Sequence, residues 1–297
     1  MYRNGKVTAG LALCCVALAG CDEAPEAASA PPTSNPTSTT TAKAEPPFDG
    51  KLDVDGRSVR VSCAGERQDG RPVVVLLHGA GDDLTKMAGL QRALSADDLV
   101  CSYDRLGAGG SDQPSGPQTI ADSGAVLTAV IDKVAGDAPV VLAGHSLGGL
   151  LAARYAPDHT DRVAGLVLMD ATSPTQGADL KAIVPDGATG PAADLVAQTV
   201  AMLEGQNPER LVMPDGDVAS AGDIPVEVIQ HGKPYLAEAV PEYGQAMEEA
   251  WAEGQRKWLA VSSDSTLVTA PDSGHYIYVD EPDVAVKSIQ RVVDAVR

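Results

Sequence analysis

One stretch of the chain, residues 140–149, constrains the fold more than any other. It reads VVLAGHSLGG, an apolar run that predicts a buried strand, then a Gly-His-Ser-Leu-Gly turn that leads into helix-forming residues. A nucleophilic serine needs a sharp turn there, and side chains at Gly144 and Gly148 would crowd the neighbouring strand and helix. The turn also places the backbone N–H of Leu147 at a helix N-terminus, facing a developing oxyanion. The pattern predicts that Ser146 is a nucleophile.

The first twenty residues differ in composition from the rest of the chain. Two basic residues precede an apolar run, residues 7–19, which is shorter than the roughly 20 residues of a membrane-spanning helix. Residues 1–20 therefore read as a signal peptide. The ending Leu-Ala-Gly-Cys resembles the lipobox of bacterial lipoproteins, which implies cleavage before Cys21 and a lipid anchor on that cysteine, in the cell envelope. An ordinary signal peptide with a chance cysteine is the alternative.

A tether and one folded domain are expected after the signal peptide. Residues 21–47 are rich in Ala, Pro, Ser and Thr and contain almost nothing to bury. Such a segment cannot offset the entropy of ordering, so we expect a flexible tether. Residues 48–297 have a suitable length for a single α/β domain.

Charge and residue spacing exclude several classes of partner. The net charge of −19 repels nucleic acid and anionic lipid, so we expect no nucleic-acid partner. No group of His, Cys, Asp and Glu has the spacing of a metal site, and we expect neither a metal nor a cofactor.

Strand and helix patterns alternate along residues 48–297. Strands are predicted at 48–55, 57–63, 72–77, 99–103, 140–145, 163–169, 224–229 and 266–269. Helices are predicted at 84–94, 120–134, 150–155, 243–259 and 282–296. This alternation predicts a mostly parallel sheet with helices on both faces. Residues 172–221 interrupt it with five prolines and one clear helix, at 192–203.

From about residue 50 to its end, the chain resembles an α/β-hydrolase. The resemblance rests on motifs in a fixed order: His78-Gly79, Tyr103-Asp104-Arg105 with Gly107, Gly109 and Ser111, the Gly144–Gly149 turn, and Ser273-Gly274-His275. It implies an eight-stranded, mostly parallel sheet, with residues 172–221 as a small cap over the active site. It also implies hydrolysis of a carboxylic ester, or of a related amide, thioester or lactone, through an acyl-enzyme intermediate.

Five histidines are candidates for the base that the serine requires. His275 lies between the last strand and the last helix, where this fold places its base. His231 follows a strand and is the rival. The other three histidines are not expected to act as the base. The family uses His78 structurally in the turn after a strand, and His145 points away from the turn that contains Ser146. His159 follows a helix end, where we expect it to be solvated.

The acid has two candidate positions. In this family it most often follows the strand that ends here near residue 229, but no carboxylate occurs there before Glu238. Asp170 ends the preceding strand and matches an alternative position that some α/β-hydrolases use. A turn residue that caps the next segment is the other reading of Asp170. We predict that Asp170 completes the triad.

The remaining expectations also follow from the resemblance. It implies that the backbone N–H of Ala80, after His78-Gly79, is the second oxyanion donor. A catalytically silent lipoprotein of the same fold, which binds a ligand or a partner, is the alternative function. Such proteins usually lose a member of the triad, whereas this chain keeps a serine, a histidine and an acid.

Two cysteines remain once the N-terminal three are assigned to the signal peptide and the lipid site. They are Cys63 and Cys101. In the α/β-hydrolase sheet the second strand runs antiparallel beside the fourth, which implies that these cysteines lie within bridging distance. Export permits a disulfide, and two buried free thiols are the alternative.

Overall fold

A single eight-stranded sheet organises residues 47–296, which are the part of the chain that the computed structural model describes. The strands are β1 (Asp49–Val54), β2 (Arg57–Ala64), β3 (Val73–Leu77), β4 (Val100–Tyr103), β5 (Val140–His145), β6 (Val163–Met169), β7 (Pro225–His231) and β8 (Asp264–Ala270). The α-helices are α1 (Ala88–Leu94), α2 (Ile120–Ala135), α3 (Leu147–Tyr155), α4 (Gln176–Ile183), α5 (Pro191–Leu203), α6 (Tyr235–Ala239), α7 (Gly244–Lys257), α8 (Ile277–Asp280) and α9 (Pro282–Ala295).

The strand order is β1-β2-β4-β3-β5-β6-β7-β8. The β1–β2 and β2–β4 pairs are antiparallel, and all the other pairs are parallel. The predicted eight-stranded, mostly parallel sheet is confirmed. Its parallel strands β3, β5, β6, β7 and β8 all end at one edge, so side chains that follow them meet there.

Every residue of β3 and β5 is buried, because helices cover both faces of the sheet. Successive side chains of a strand point to opposite faces, and β3 shows this directly. Val73, Val75 and Leu77 pack into a core that includes α2 and α3. Val74 and Leu76 pack into a second core that includes α1 and α9.

The turn between β1 and β2 has the expected residues. Asp55 and Gly56 both have positive φ, 52° and 75°, as a two-residue hairpin turn of the primed type requires. The N–H of Gly56 donates to Asp53 Oδ1 over 3.1 Å, which closes the turn.

A disulfide joins the second and fourth strands. Cys63 and Cys101 are directly opposite in the antiparallel pair, with Cα atoms 4.0 Å apart, and their sulfurs are bonded. The structure therefore contains the disulfide that the resemblance implied, in place of two free thiols.

Residues 172–221, the cap segment, contain two helices where the sequence predicted one. The prediction of a helix at 192–203 corresponds to α5, whereas α4 and the short α6 beyond the cap were not predicted. The helix α4 has only eight residues and a glycine in its first turn, so its sequence shows little helical periodicity. Its apolar residues pack with α5 and α7 in a third, smaller core that includes Leu180, Val184 and Met247.

The predictions for the N-terminal residues lie almost entirely outside residues 47–296. The signal peptide at 1–20, the lipid site at Cys21 and nearly all of the tether at 21–47 lie outside the described residues. Within residues 47–296, every helix is too short or too polar to cross a membrane.

Candidate active site

Ser146 lies between the end of β5 and the start of α3, in a left-handed conformation with φ of 50°. A non-glycine residue persists there only when its surroundings hold it. The N–H of Ser146 donates to the carbonyl of Met169 over 3.1 Å, and its own carbonyl accepts from the N–H of Gly149 and of Thr172. These bonds to β6, to the loop after it and to α3 fix the strained turn.

The two glycines of the turn permit close approach of backbone to backbone. A Cβ on Gly144 would lie 2.4 Å from the carbonyl carbon of Gly148. A Cβ on Gly148 would lie 2.3 Å from the carbonyl oxygen of Leu77, at the end of β3. Both separations are far below van der Waals contact, so any side chain at either position would push α3 away from the sheet.

Asp170 follows β6 directly and is fully buried. Its Oδ2 accepts a 2.7 Å hydrogen bond from Nδ1 of His275, which lies in the loop between β8 and α8. The side chain of His275 is 23% exposed, so it reaches from the buried carboxylate toward solvent. With a proton on Nδ1, the imidazole has Nε2 free to accept another proton.

Ser146 and His275 line the same cavity, together with Ala80 from the loop after β3. The cavity has a volume of about 320 Å³. Most of its remaining wall is apolar and comes from the cap segment, α6 and α7, including Leu180, Leu195, Met202, Leu236, Met247 and Trp251. Leu147 is the first residue of α3, where backbone N–H groups have no partner within the helix.

Asp170 also binds the rival base, which the sequence did not predict. His231 Nδ1 lies 2.8 Å from Asp170 Oδ1, and Nε1 of Trp251 donates to the same oxygen over 2.9 Å. The other ring nitrogen of His231 bonds to Glu248. Both nitrogens of His231 are therefore engaged, and its ring does not line the cavity, whereas that of His275 does.

The carboxyl group of Asp170 remains ionised despite its burial. Burial acts to raise its pKa, but hydrogen bonds and attraction from His231 and His275 outweigh burial and lower the pKa to about 2. The rival acid, Glu238, lies exposed on α6. The structure thus brings Asp170, and not Glu238, to His275.

His145 does not line the cavity, in keeping with the expectation that it points away from the turn, but it contacts the backbone of His275. Its Nε2 donates to the carbonyl oxygen of His275 over 2.9 Å. Burial and the neighbouring His275 lower the pKa of His145 to about 3, so its ring is neutral and Nε2 carries the proton. His145 therefore helps to position the β8–α8 loop.

The loop that carries Ala80 is held by a buried guanidinium. Arg105 donates to the carbonyl of His78 over 2.7 Å and to that of Gly79 over 3.0 Å. The same side chain forms an ion pair with Glu209 of the cap segment. The other two histidines, His78 and His159, have ring nitrogens bonded to nearby backbone carbonyls.

Asp104 holds backbone from two segments, one after β3 and one after β4. Its Oδ1 accepts from the N–H of Leu84, and its Oδ2 accepts from that of Gly110, both over 2.7 Å. Among the described residues, no group of His, Cys, Asp and Glu is arranged to hold a metal ion.

Glu248 and Trp251 are the residues of this site that sequence reasoning missed. The contact of His231 with Asp170 had a signal in the sequence, because the neighbouring strands β6 and β7 place these two residues at adjacent strand ends. Glu248 and Trp251 are three positions apart on α7, and so share one face of that helix.

Comparison with known proteins agrees with this architecture. A family model for the alpha/beta hydrolase fold matches residues 72–216. The enol-lactonase of Burkholderia xenovorans LB400 is similar in structure, with a TM-score of 0.57 and 21% identity, over 82% of this chain and 99% of that chain.

Curated proteins also match in sequence, including the following two. The (lyso)-N-acylphosphatidylethanolamine lipase of Mus musculus is 32% identical over 113 residues, which is 37% of this chain and 33% of that protein. The probable transporter efuK of Hormonema carpetanum is 24% identical over 82% of this chain and 42% of that protein. The chain thus spans well under half the length of these curated relatives.

Proposed function

The chain has the α/β-hydrolase fold, and on that premise we propose that it is a serine hydrolase which cleaves a carboxylic ester or a related acyl bond. The observation that carries this proposal is the 2.7 Å hydrogen bond from His275 to Asp170, in a site where His275 and Ser146 line one cavity. The lipase among the curated relatives supports hydrolase chemistry.

In the proposed mechanism, Ser146 Oγ attacks the acyl carbon while Nε2 of His275 takes its proton. The negative charge that develops on the carbonyl oxygen is stabilised by the backbone N–H groups of Ala80 and Leu147. The tetrahedral intermediate collapses, His275 gives the proton to the leaving alcohol, and an acyl-enzyme remains. A water molecule then repeats the sequence and releases the acid. Asp170 orients the imidazole and stabilises its charged form throughout.

The cavity supports a substrate of modest size. Ligand sites span about 300 to 1,000 Å³, so 320 Å³ lies at the lower end. The apolar wall favours an uncharged, hydrophobic acyl group over a charged one, because burial of a charge without a partner is costly. We therefore propose that esters with short acyl chains are preferred.

We also propose that the protein is exported and anchored to the bacterial cell envelope through lipid on Cys21. The N-terminal sequence motivates this, and the Cys63–Cys101 disulfide supports an oxidising compartment. Cys21→Ser should abolish partitioning of the full chain into the detergent phase. Partitioning that survives this substitution would refute the anchor.

Labelling with a fluorophosphonate probe tests the catalytic proposal. We expect labelling of the wild type and of Ser115→Ala, an exposed serine elsewhere, but not of Ser146→Ala. On p-nitrophenyl esters of increasing chain length, Ser146→Ala and His275→Ala should each lose about 10⁴-fold or more in kcat, and the double variant should be no worse, since triad members act as a unit. Absence of both labelling and hydrolysis in the wild type would favour the silent ligand-binding alternative.

A further inference from the structure

His231 is a buried titratable group that the mechanism above does not use. It ends β7, and its side chain is 5% exposed. Its Nδ1 lies 2.8 Å and 2.9 Å from the two oxygens of Asp170, and its Nε2 contacts Glu248 Oε1. The backbone N–H of His231 also donates to Asp170 Oδ1, over 3.2 Å.

The two carboxylates determine the protonation of this ring. A neutral imidazole carries one N–H, whereas an ionised carboxylate only accepts hydrogen bonds. A ring that bonds to one carboxylate through each nitrogen must therefore donate from both, and only the imidazolium has two N–H donors.

We propose that His231 is held as an imidazolium between Asp170 and Glu248, and that it is a positioning residue for the acid of the triad. Its effect on catalysis rests on the proposed function, but its charge state does not. Hydrogen bonds thus connect four side chains in the order His275, Asp170, His231 and Glu248.

Every charged or titratable group that faces His231 is consistent with a cation. Asp170 approaches from β6 and Glu248 from α7, and His275 lies beyond the shared carboxylate. Burial acts to lower the pKa of His231, but the hydrogen bonds and charges of the two carboxylates outweigh burial and raise it. Tyr235, whose ring meets that of His231 edge-on at 4.8 Å, stays neutral because burial raises its pKa.

Glu248 connects this cluster to the substrate cavity. Its Oε2 accepts the N–H of Leu236 over 3.0 Å and that of Ala237 over 3.4 Å, both in α6. Leu236 lines the cavity, as do residues of α7 on either side of Glu248. His231 therefore joins the acid of the triad to the wall against which the substrate would lie.

The charge of His231 also acts on the electrostatic potential of the triad. A cation beside Asp170 offsets part of the negative potential that this carboxylate produces at His275. Loss of that cation should therefore change how the rate of hydrolysis depends on pH, whereas loss of a purely structural contact should not.

The pH profile of kcat/KM for His231→Asn tests this effect. Asparagine keeps a short N–H donor for Asp170 but removes the charge and the bond to Glu248. We expect the acid limb of the profile to move to higher pH, because the negative potential of Asp170 is no longer offset by a cation. We also expect kcat to fall by about tenfold or more, with KM changed less than about threefold, since the loss concerns the transition state.

His159→Asn is the matched control, because His159 bonds to the carbonyl of Tyr155 away from this site. Its acid limb should coincide with that of the wild type. A His231→Asn profile that is lower at every pH, with an unmoved acid limb, would mean that His231 is structural only and would overturn the inference.

Nitrogen NMR of ¹⁵N-histidine in the wild-type protein decides the charge state without any substrate. We expect both ring nitrogens of His231 to show imidazolium shifts at pH 7.5. In the Glu248→Gln variant, we expect the His231 ring to lose its proton at lower pH than in the wild type. A neutral His231 ring in the wild type would refute the inference. Failure of the proposed function would appear instead as absence of Ser146 labelling, with the NMR result unaffected.

Discussion

Arg105 and Glu209 form a buried, bidentate ion pair between the loop after β4 and the cap segment. Nε and Nη2 of Arg105 lie 2.7 and 2.8 Å from the two oxygens of Glu209, and both side chains are at most 5% exposed. Because Arg105 also binds the carbonyls beside Ala80, the cap segment and the loop that carries Ala80 share one anchor.

Removal of the carboxylate should therefore damage both stability and activity. Glu209→Ala leaves a buried guanidinium without its partner, a change that costs about 3–5 kcal/mol in the free energy of unfolding. Urea denaturation measures this loss, and ester hydrolysis under native conditions should show a lower kcat. Glu204→Ala, an exposed glutamate of the same segment, should stay within about 0.5 kcal/mol. Equal losses in the two variants would contradict the role given to the ion pair.

Two substitutions separate the candidate acids. Asp170→Asn should preserve the fold but lower kcat by orders of magnitude, on the order of 10⁴-fold, because the imidazole loses its orientation and its charge partner. Glu238→Gln should have little effect, since Glu238 is exposed on α6. Steady-state hydrolysis, with circular dichroism as the check on folding, measures both. The reverse pattern would place the acid after β7.

The disulfide should stabilise the domain measurably. It closes a loop with a sequence separation of 38, for which the chain-entropy model gives about 3–4 kcal/mol. The double variant Cys63→Ala/Cys101→Ala should lose about that amount in urea denaturation. Alkylation of the denatured domain, followed by intact-mass measurement, should add two groups with reductant and none without. Two groups added without reductant would show free thiols.

Two glycines with different surroundings should respond oppositely to alanine. At Gly148 a Cβ would lie 2.3 Å from backbone, so Gly148→Ala should prevent the turn and abolish activity. At Gly89, in α1, a Cβ meets nothing within 4 Å, and alanine should raise the free energy of unfolding by about 0.4–1 kcal/mol. Thermal unfolding compares the two. A tolerated alanine at position 148 would mean that α3 can move away from the sheet.

Local sequence patterns were sufficient for the individual strands, whereas the order of the strands was implied by the resemblance. The β1–β2 turn depends on two adjacent residues, Asp55 and Gly56, and the central strands are uninterrupted apolar runs. Such features do not depend on distant residues, so they can be predicted from the sequence. The placement of Ser146, His275 and Asp170 at the carboxyl edge of the sheet follows from the same strand pattern.

The surroundings of Asp170 were not predictable in the same way. His231 and Trp251 reach its carboxylate from 61 and 81 residues further along the chain, through side chains on separate elements. The pairing of β6 with β7 brings His231 to Asp170, whereas Trp251 reaches it only because α7 packs against the end of the sheet. The helix α4 was missed for a related reason, since its short apolar face packs against α5 and α7 instead of the main sheet.

The position of the disulfide has a mechanical consequence. A force applied at Phe48 would pull first on β1, which pairs only with β2 at the edge of the sheet. The pairs would open one after another, from Asp49 to the turn and then along β2. The covalent bond at Cys63 would stop this peeling, so that the load passes into β4 while the strands that lead to Ser146, Asp170 and His275 stay assembled.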